Sequence, residues 1–103
     1  MKTYKNENDY STQLAAKLNG EIEVAVLGGK IDVLTKTQLI EVKRLHDWKS
    51  ALGQLLVYSE AYPNHELVLH VLTEYNKNVP QNIYDSCEKL NIKLEVVNVM
   101  FDK

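Results

Sequence analysis

Apolar and polar positions change period several times along this chain, and each change marks an element. Over residues 6–19, Tyr10, Leu14 and Leu18 recur at every fourth position, the spacing of one helix face. Asn6 is suited to cap that helix, with Asp9 three residues later, and Gly20 supplies the stop. Continued back by three residues, the stripe reaches Glu7, so this carboxylate is expected to point toward the body of the protein. Three strand-like runs follow over residues 21–26, 30–35 and 38–43, with Gly28-Gly29 at the first turn and Lys36-Thr37 at the second. A longer period returns over residues 48–62. There Trp48, Leu52, Leu55, Ser59 and Tyr62 form one stripe, and Ala51, Gln54, Tyr58 and Ala61 form its neighbour. Asp47 is the candidate cap of this helix and Pro63 its break. Residues 66–72 read as a fourth strand. Pro80 opens a helix carrying Ile83, Tyr84, Cys87 and Leu90 on one side, and residues 92–99 read as a last strand. The order αβββαβαβ predicts an α/β domain with a mixed central sheet: an antiparallel hairpin unit, then strands reached through helical crossovers.

The second hairpin carries the candidate chemistry. If its turn is centred on Lys36-Thr37, facing residues have numbers that sum to 73. Asp32 then lies opposite Glu41, with Lys43 two residues further along the same face, and Ile31, Val33, Ile40 and Val42 form the opposite, core face. A symmetric four-residue loop keeps that pairing, whereas a bulge shifts it. Like charges directly opposite each other destabilise a sheet, so the pair has a reason to exist if a cation and a phosphate complete it. Hard cations such as Mg2+ take oxygen ligands and keep several waters, so one or two carboxylates plus substrate phosphate suffice. Asp32 and Glu41 supply the carboxylates, and the carbonyl of Val42 is a further candidate ligand. Lys43 has the character to orient an attacking water or to stabilise charge on a pentavalent phosphate. The bland alternative is a diagonal Asp32–Lys43 salt bridge on a solvated face, worth under ~1 kcal/mol.

Composition narrows the class. With 103 residues the chain is expected to form one domain, residues 1–103. The net charge of -2 argues against a strong nonspecific nucleic-acid binder, which needs many cations on phosphates. A local positive patch remains: Lys43, Arg44, His46 and Lys49 lie close together, and Arg44 is the only arginine. No apolar run is long enough to span a membrane, and the first residues lack the apolar stretch of a signal peptide. The single Cys87 cannot form an internal disulfide, so a reducing cytoplasmic compartment is the expectation. Cys87 reads as core, His46 as a surface loop residue and His70 as solvent-facing, while His65 and His70 lack metal-ligand spacing. No Ser-His-Asp arrangement, zinc-knuckle spacing or phosphate-cradling glycine loop is present, and no organic cofactor is expected.

Ile31-Asp32, followed after eight residues by Glu41-Val42-Lys43, resembles the motif of the PD-(D/E)XK nuclease superfamily. Gln54-Leu-Leu-Val-Tyr58 is similar to the Gln-x-x-x-Tyr signature of RecB-like and lambda-exonuclease-like members. The resemblance covers roughly two thirds of the chain. Ile31 stands in place of the proline that names the motif, and small members similar to Holliday-junction resolvases tend to be basic, which this chain is not. The resemblance implies a restriction-endonuclease-like αβββαβ core, here with an additional C-terminal helix and strand. It also implies a Mg2+-dependent nuclease that hydrolyses DNA, with Mn2+ able to substitute. In that frame Asp32, Glu41, Val42 and Glu7 would hold the metal, with Asp9 or Glu23 as alternatives to Glu7. Lys43 and Gln54 would complete the catalytic set, and Arg44, Lys49, Lys30 and Tyr58 would contact duplex or branched DNA. One domain this small offers little surface for a duplex, so an endonuclease acting as a homodimer is expected. An RNA substrate stays open, and the alternative is a nuclease-fold binding or assembly module without turnover, part of a larger DNA-processing or defence complex.

Overall fold

A computed structural model describes residues 2–102. The elements follow in the order β1 (Thr3–Tyr4), α1 (Glu7–Leu18), β2 (Glu21–Val26), β3 (Gly29–Leu34), β4 (Gln38–Arg44), a 3-10 turn (Leu45–Asp47), α2 (Trp48–Tyr58), β5 (Glu66–Thr73), α3 (Gln81–Lys89), β6 (Lys93–Asn98) and β7 (Met100–Phe101). Asn6 caps α1 as its sequence suggests, accepting from the Asp9 amide at 2.8 Å. The left-handed residue that ends α1 is Asn19 (φ 57°), one position before Gly20. The helix buries Tyr10, Ser11 and Ala15, whereas Leu18 at the end of the expected stripe is exposed. Asp47 precedes α2 without a side-chain cap bond, and α2 stops at Tyr58, four residues before the expected end. The short strands β1 and β7 pair in parallel and were not expected.

β2 to β6 form one five-stranded mixed sheet in the order β2-β3-β4-β5-β6. β2, β3 and β4 run antiparallel in succession, and β4, β5 and β6 run parallel, so the chain is an α/β protein with a mixed sheet. Each sheet face carries its own core. On one side α1 packs on Val33, Ile40, Val42, Val68 and Leu72, with Tyr4, Val99 and Phe101 closing that cluster. On the other, Ala51, Leu55 and Tyr58 of α2 and Ile83 and Cys87 of α3 pack on Leu34, Leu39, Leu69 and Val71. Cys87 is a free, buried core residue. No described helix is long and apolar enough to cross a membrane.

Ile31 corrects the expected face assignment. It joins the α2-side cluster, whereas Val33, Ile40 and Val42 pack on the α1 side. Strict alternation would keep Ile31 and Val33 on one face. The register on either side of the anomaly is continuous, Ile22 with Val33 and Val24 with Ile31, but Glu23 and Asp32 between them are unpaired. Glu23 has a φ of 50° there, a left-handed backbone that lets both strands change face together. The hairpin tip then bends over α2, where Gly28 and Gly29 sit against Val57 and Tyr58. Gly29 has a φ of 155°, and a Cβ at this position would collide with the Tyr58 hydroxyl. Gly29→Ala is therefore expected to cost about 1–3 kcal/mol. A melting curve should show the loss, and a matching recovery in the Gly29→Ala, Tyr58→Phe double variant would identify the collision as its cause.

Candidate functional site

The pairing of β3 with β4 follows the expected register, Leu34 with Leu39 and Val33 with Ile40, and stops there. The amide of Thr35 donates to the carbonyl of Gln38 at 2.9 Å, closing a tight turn at Lys36-Thr37 without a bulge. Asp32 and Glu41 come next and are opposed, but no ladder joins them. The face change in β3 swings the strand away from β4, and the two carboxylates occupy the gap. Oδ2 of Asp32 accepts from the Val42 amide at 2.8 Å, and Oε2 of Glu41 accepts from the Asp32 amide at 2.9 Å. Each carboxylate thus accepts from a backbone amide of the other strand where the ladder has ended. Among the described residues, no protein donor bonds the second oxygen of either side chain. The Val42 amide faces the gap, and a strand residue presents its amide and carbonyl to the same edge, so the Val42 carbonyl opens there too.

Burial sets the electrostatics. Glu41 is only 1% exposed. Desolvation and the neighbouring Asp32 charge push its pKa up to about 8, against the opposing pull of the Asp32 amide and Lys43. Desolvation also raises Asp32, helped by Glu7 and Glu23, while the Val42 amide and Lys43 work against it. Both acids would be favoured in their ionised forms by a cation, the donors are hard oxygens, and the residues fit a Mg2+-type ion to that extent. The full expected ligand set is not gathered. Among the described residues no three His, Cys, Asp or Glu side chains converge as a metal-binding group.

An open hollow of about 400 Å3 lies at the C-terminal end of β4, lined by Glu7, Ser11, Glu23, Asp32, Val42, Lys43 and Arg44 among others. Glu41 lies outside this lining, buried behind Asp32. In α/β sheets the carboxyl ends of parallel strands are where ligand crevices form. A larger groove of about 820 Å3, near Pro63, His65 and Lys93, lies at the opposite end of the sheet, where β5 and β6 begin, and it is distant from the carboxylates. Glu7 enters the hollow from the first turn of α1, as its spacing indicated. Its Oε1 pairs with Arg44 Nε at 3.6 Å. Lys43 is half-buried and makes no ion pair among the described residues.

The remaining expected site residues divide. Gln54 lies on α2, and its Oε1 is buried with no hydrogen-bond partner among the described residues. Such an orphan acceptor costs stability unless a water, a lysine or a ligand meets it. Tyr58 is not placed to touch nucleic acid: it is 4% exposed and packed beneath Gly29. Lys30 is exposed on β3, and Lys49 is exposed on α2 above the Trp48 ring at 5.8 Å, with neither lining the hollow. Arg44 does line it, but its guanidinium is also stacked 4.0 Å from the Phe101 ring centroid. Asp9 is fully engaged at the helix start, accepting from the Lys5 amide and from Gln13, and takes no part in the hollow. Glu23 does belong to it, with a left-handed backbone at φ 50°. His70 does not face solvent: its Nδ1 is 2.8 Å from the Tyr10 hydroxyl, on the α1 side of the sheet. His46 is exposed and pairs with Asp47.

No family model matches the chain, and no solved structure matches it. It is similar to three KilA-N domain-containing proteins of Acanthamoeba polyphaga mimivirus. One is 37% identical over 92 residues, covering 89% of this chain and 37% of the relative. The second is 38% identical over 91 residues, with 86% and 24% covered. The third is 37% identical over 90 residues, with 87% and 24% covered. Nearly the whole chain is shared, and it spans only 24% to 37% of these longer relatives.

Proposed function

We propose that this chain is a Mg2+-dependent nuclease domain of the PD-(D/E)XK type that hydrolyses DNA phosphodiesters, built on a restriction-endonuclease-like core. The observation that carries the reading is the split between β3 and β4. There two opposed carboxylates cap each other's strands beside a lysine that has no ion pair among the described residues. A purely structural sheet has no need for this arrangement, because an uninterrupted ladder would be more stable than a buried like-charge pair. Asp32, Glu41 and the Val42 carbonyl would hold the cation, which when bound lowers the pKa of a water and neutralises phosphate charge. Lys43, which lines the same hollow, positions a water or stabilises charge on the phosphate in the transition state. Gln54 offers its orphan oxygen to a water or to the lysine ammonium. Arg44 is the cation of the hollow that can meet the DNA backbone, with Lys30 and Lys49 outside it as more distant contacts. A homodimer would present two such sites for the two strands of a duplex.

Purified protein should cleave in Mg2+ or Mn2+ and not in EDTA when offered plasmid, linear, nicked, branched and single-stranded DNA beside RNA. The Asp32→Ala variant should be inert on every substrate. Full activity of that variant would remove Asp32 from the mechanism, and preference for the RNA arm would reassign the substrate.

A second reading is a module without turnover that keeps this fold for binding or assembly within a longer protein. It is favoured by the relatives' greater length and by the absence of a converged ligand trio among the described residues. Calorimetry with Mn2+ separates the two: no binding at millimolar concentration supports the inert module.

A further inference from the structure

Arg44 occupies an unusual position for a residue expected to contact substrate, because both ends of its environment are already taken. Its Nε pairs with Glu7 at 3.6 Å, and its guanidinium carbon lies 4.0 Å from the centroid of Phe101. Phe101 belongs to β7, which is zipped to β1 by parallel pairing of Thr3 with Met100 and Tyr4 with Phe101. The two terminal strands therefore fix a ring beneath the guanidinium, and the guanidinium fixes Glu7. Neither partner of the ion pair is deeply buried: the Arg44 and Glu7 side chains are 39% and 34% exposed. Pairs of this kind are weak and easily exchanged. A phosphate offers the same guanidinium a bidentate, doubly charge-assisted contact, which is the stronger choice.

We propose that Arg44 is a positioning residue that couples nucleic-acid binding to completion of the cation site. In the free protein it withholds Glu7 from Asp32. When a backbone phosphate takes the guanidinium, Glu7, which already lines the hollow, is freed to turn toward Asp32 and the Val42 carbonyl. The arrangement rests on the nuclease reading above, and it adds a reason for a lone arginine to stand beside the carboxylates. Held by Arg44, Glu7 has part of its charge offset and is turned to another partner, so a cation gains less from it. Released, Glu7 supplies a third carboxylate, beside Asp32 and Glu41, that the described residues of the free protein do not gather. No bond to carbon or phosphorus is involved; one ion pair is exchanged for two.

A double-mutant cycle tests this through binding rather than turnover. Mn2+ affinity is measured by calorimetry without DNA for the wild-type chain, Arg44→Gln, Glu7→Gln and the double variant. Arg44→Gln is expected to bind Mn2+ about 5-fold more tightly than wild type, within the usual range of coupling between sites. In the Glu7→Gln background the same substitution is expected to change affinity less than about 2-fold. Equal tightening in both backgrounds would mean that Arg44 acts only through its general field, and no tightening would mean that it withholds nothing; either result overturns the proposal. In EDTA, Arg44→Gln should also bind a short duplex at least about 5-fold more weakly, measured by fluorescence anisotropy. Unchanged duplex affinity would overturn the exchange with phosphate even if the cycle succeeds. If the glutamine variant fails to fold, Arg44→Met replaces it, because the thioether can still pack on Phe101. Absence of Mn2+ binding by the wild-type chain would remove the nuclease reading itself, and the coupling with it.

Discussion

Lys43→Ala is expected to lose at least about a hundredfold, and up to about a thousandfold, in single-turnover DNA cleavage while keeping its fold and its affinity for Mn2+. The expectation follows from where the ammonium stands. It lines the hollow with Asp32, it has no ion-pair partner among the described residues, and its pull opposes the raised pKa of both carboxylates. Removing one preorganised donor from a site of developing negative charge typically costs two to three orders of magnitude (about 10²–10³). Truncation also removes a positive charge near the acids, so Mn2+ binding should hold or tighten slightly. Loss of cleavage together with loss of Mn2+ binding would point to collapse of the site. Retained cleavage would take Lys43 out of the chemistry.

Glu41→Gln is expected to do two opposite things: abolish cleavage and stabilise the cation-free fold. Burial and Asp32 place the Glu41 pKa at about 8 in the folded chain, against an ordinary 4.5. Between those values the folded state binds the proton more tightly than the unfolded state. The stability this proton brings is complete below about pH 4.5 and is lost as the pH rises through about 8. At about 1.4 kcal/mol per pH unit the ceiling is near ~5 kcal/mol, and relaxation of the site lowers the expected effect to about 2–4 kcal/mol. The wild-type chain in EDTA should therefore melt at a lower temperature at pH 8 than at pH 5. Glutamine keeps an oxygen for the Asp32 amide without the charge, so the variant should lose most of that dependence. It should melt several degrees above wild type at pH 8. Mn2+ should raise the wild-type midpoint by mass action and leave the variant nearly unchanged. A variant less stable than wild type at pH 8 in EDTA would show that Glu41 is a structural bond and not a strained acid.

The hairpin was legible because its two strands alternate cleanly around Lys36-Thr37 and because the turn closes without a bulge. The spacing of Glu7 from Tyr10 was enough to aim it inward, since helix periodicity leaves little freedom over one turn. What alternation could not show was its own failure. Glu23 looks like any solvent-facing strand residue, and nothing in its neighbours announces a φ of 50°. That backbone feature coincides with the break in register at Glu23 and Asp32, on either side of which Ile31 and Val33 join different cores. Tyr58 misled for a different reason. Its place in a short motif suggested contact with a ligand, whereas the bent hairpin uses it as the floor under Gly29. His70 needed a partner sixty residues away, the Tyr10 hydroxyl, which strand polarity alone cannot reveal. The strands β1 and β7 are two residues each, too short for any periodicity to register.

The central question is whether the split between β3 and β4 is a hydrolytic cation site. The most direct measurement is cleavage of supercoiled plasmid by the wild-type chain in Mg2+, with EDTA, Asp32→Ala and Lys43→Ala reactions on the same gel. The expected result is nicked or linear product with wild type in Mg2+ alone. Cleavage that survives in EDTA, or that survives loss of Asp32 and of Lys43 undiminished, would contradict it.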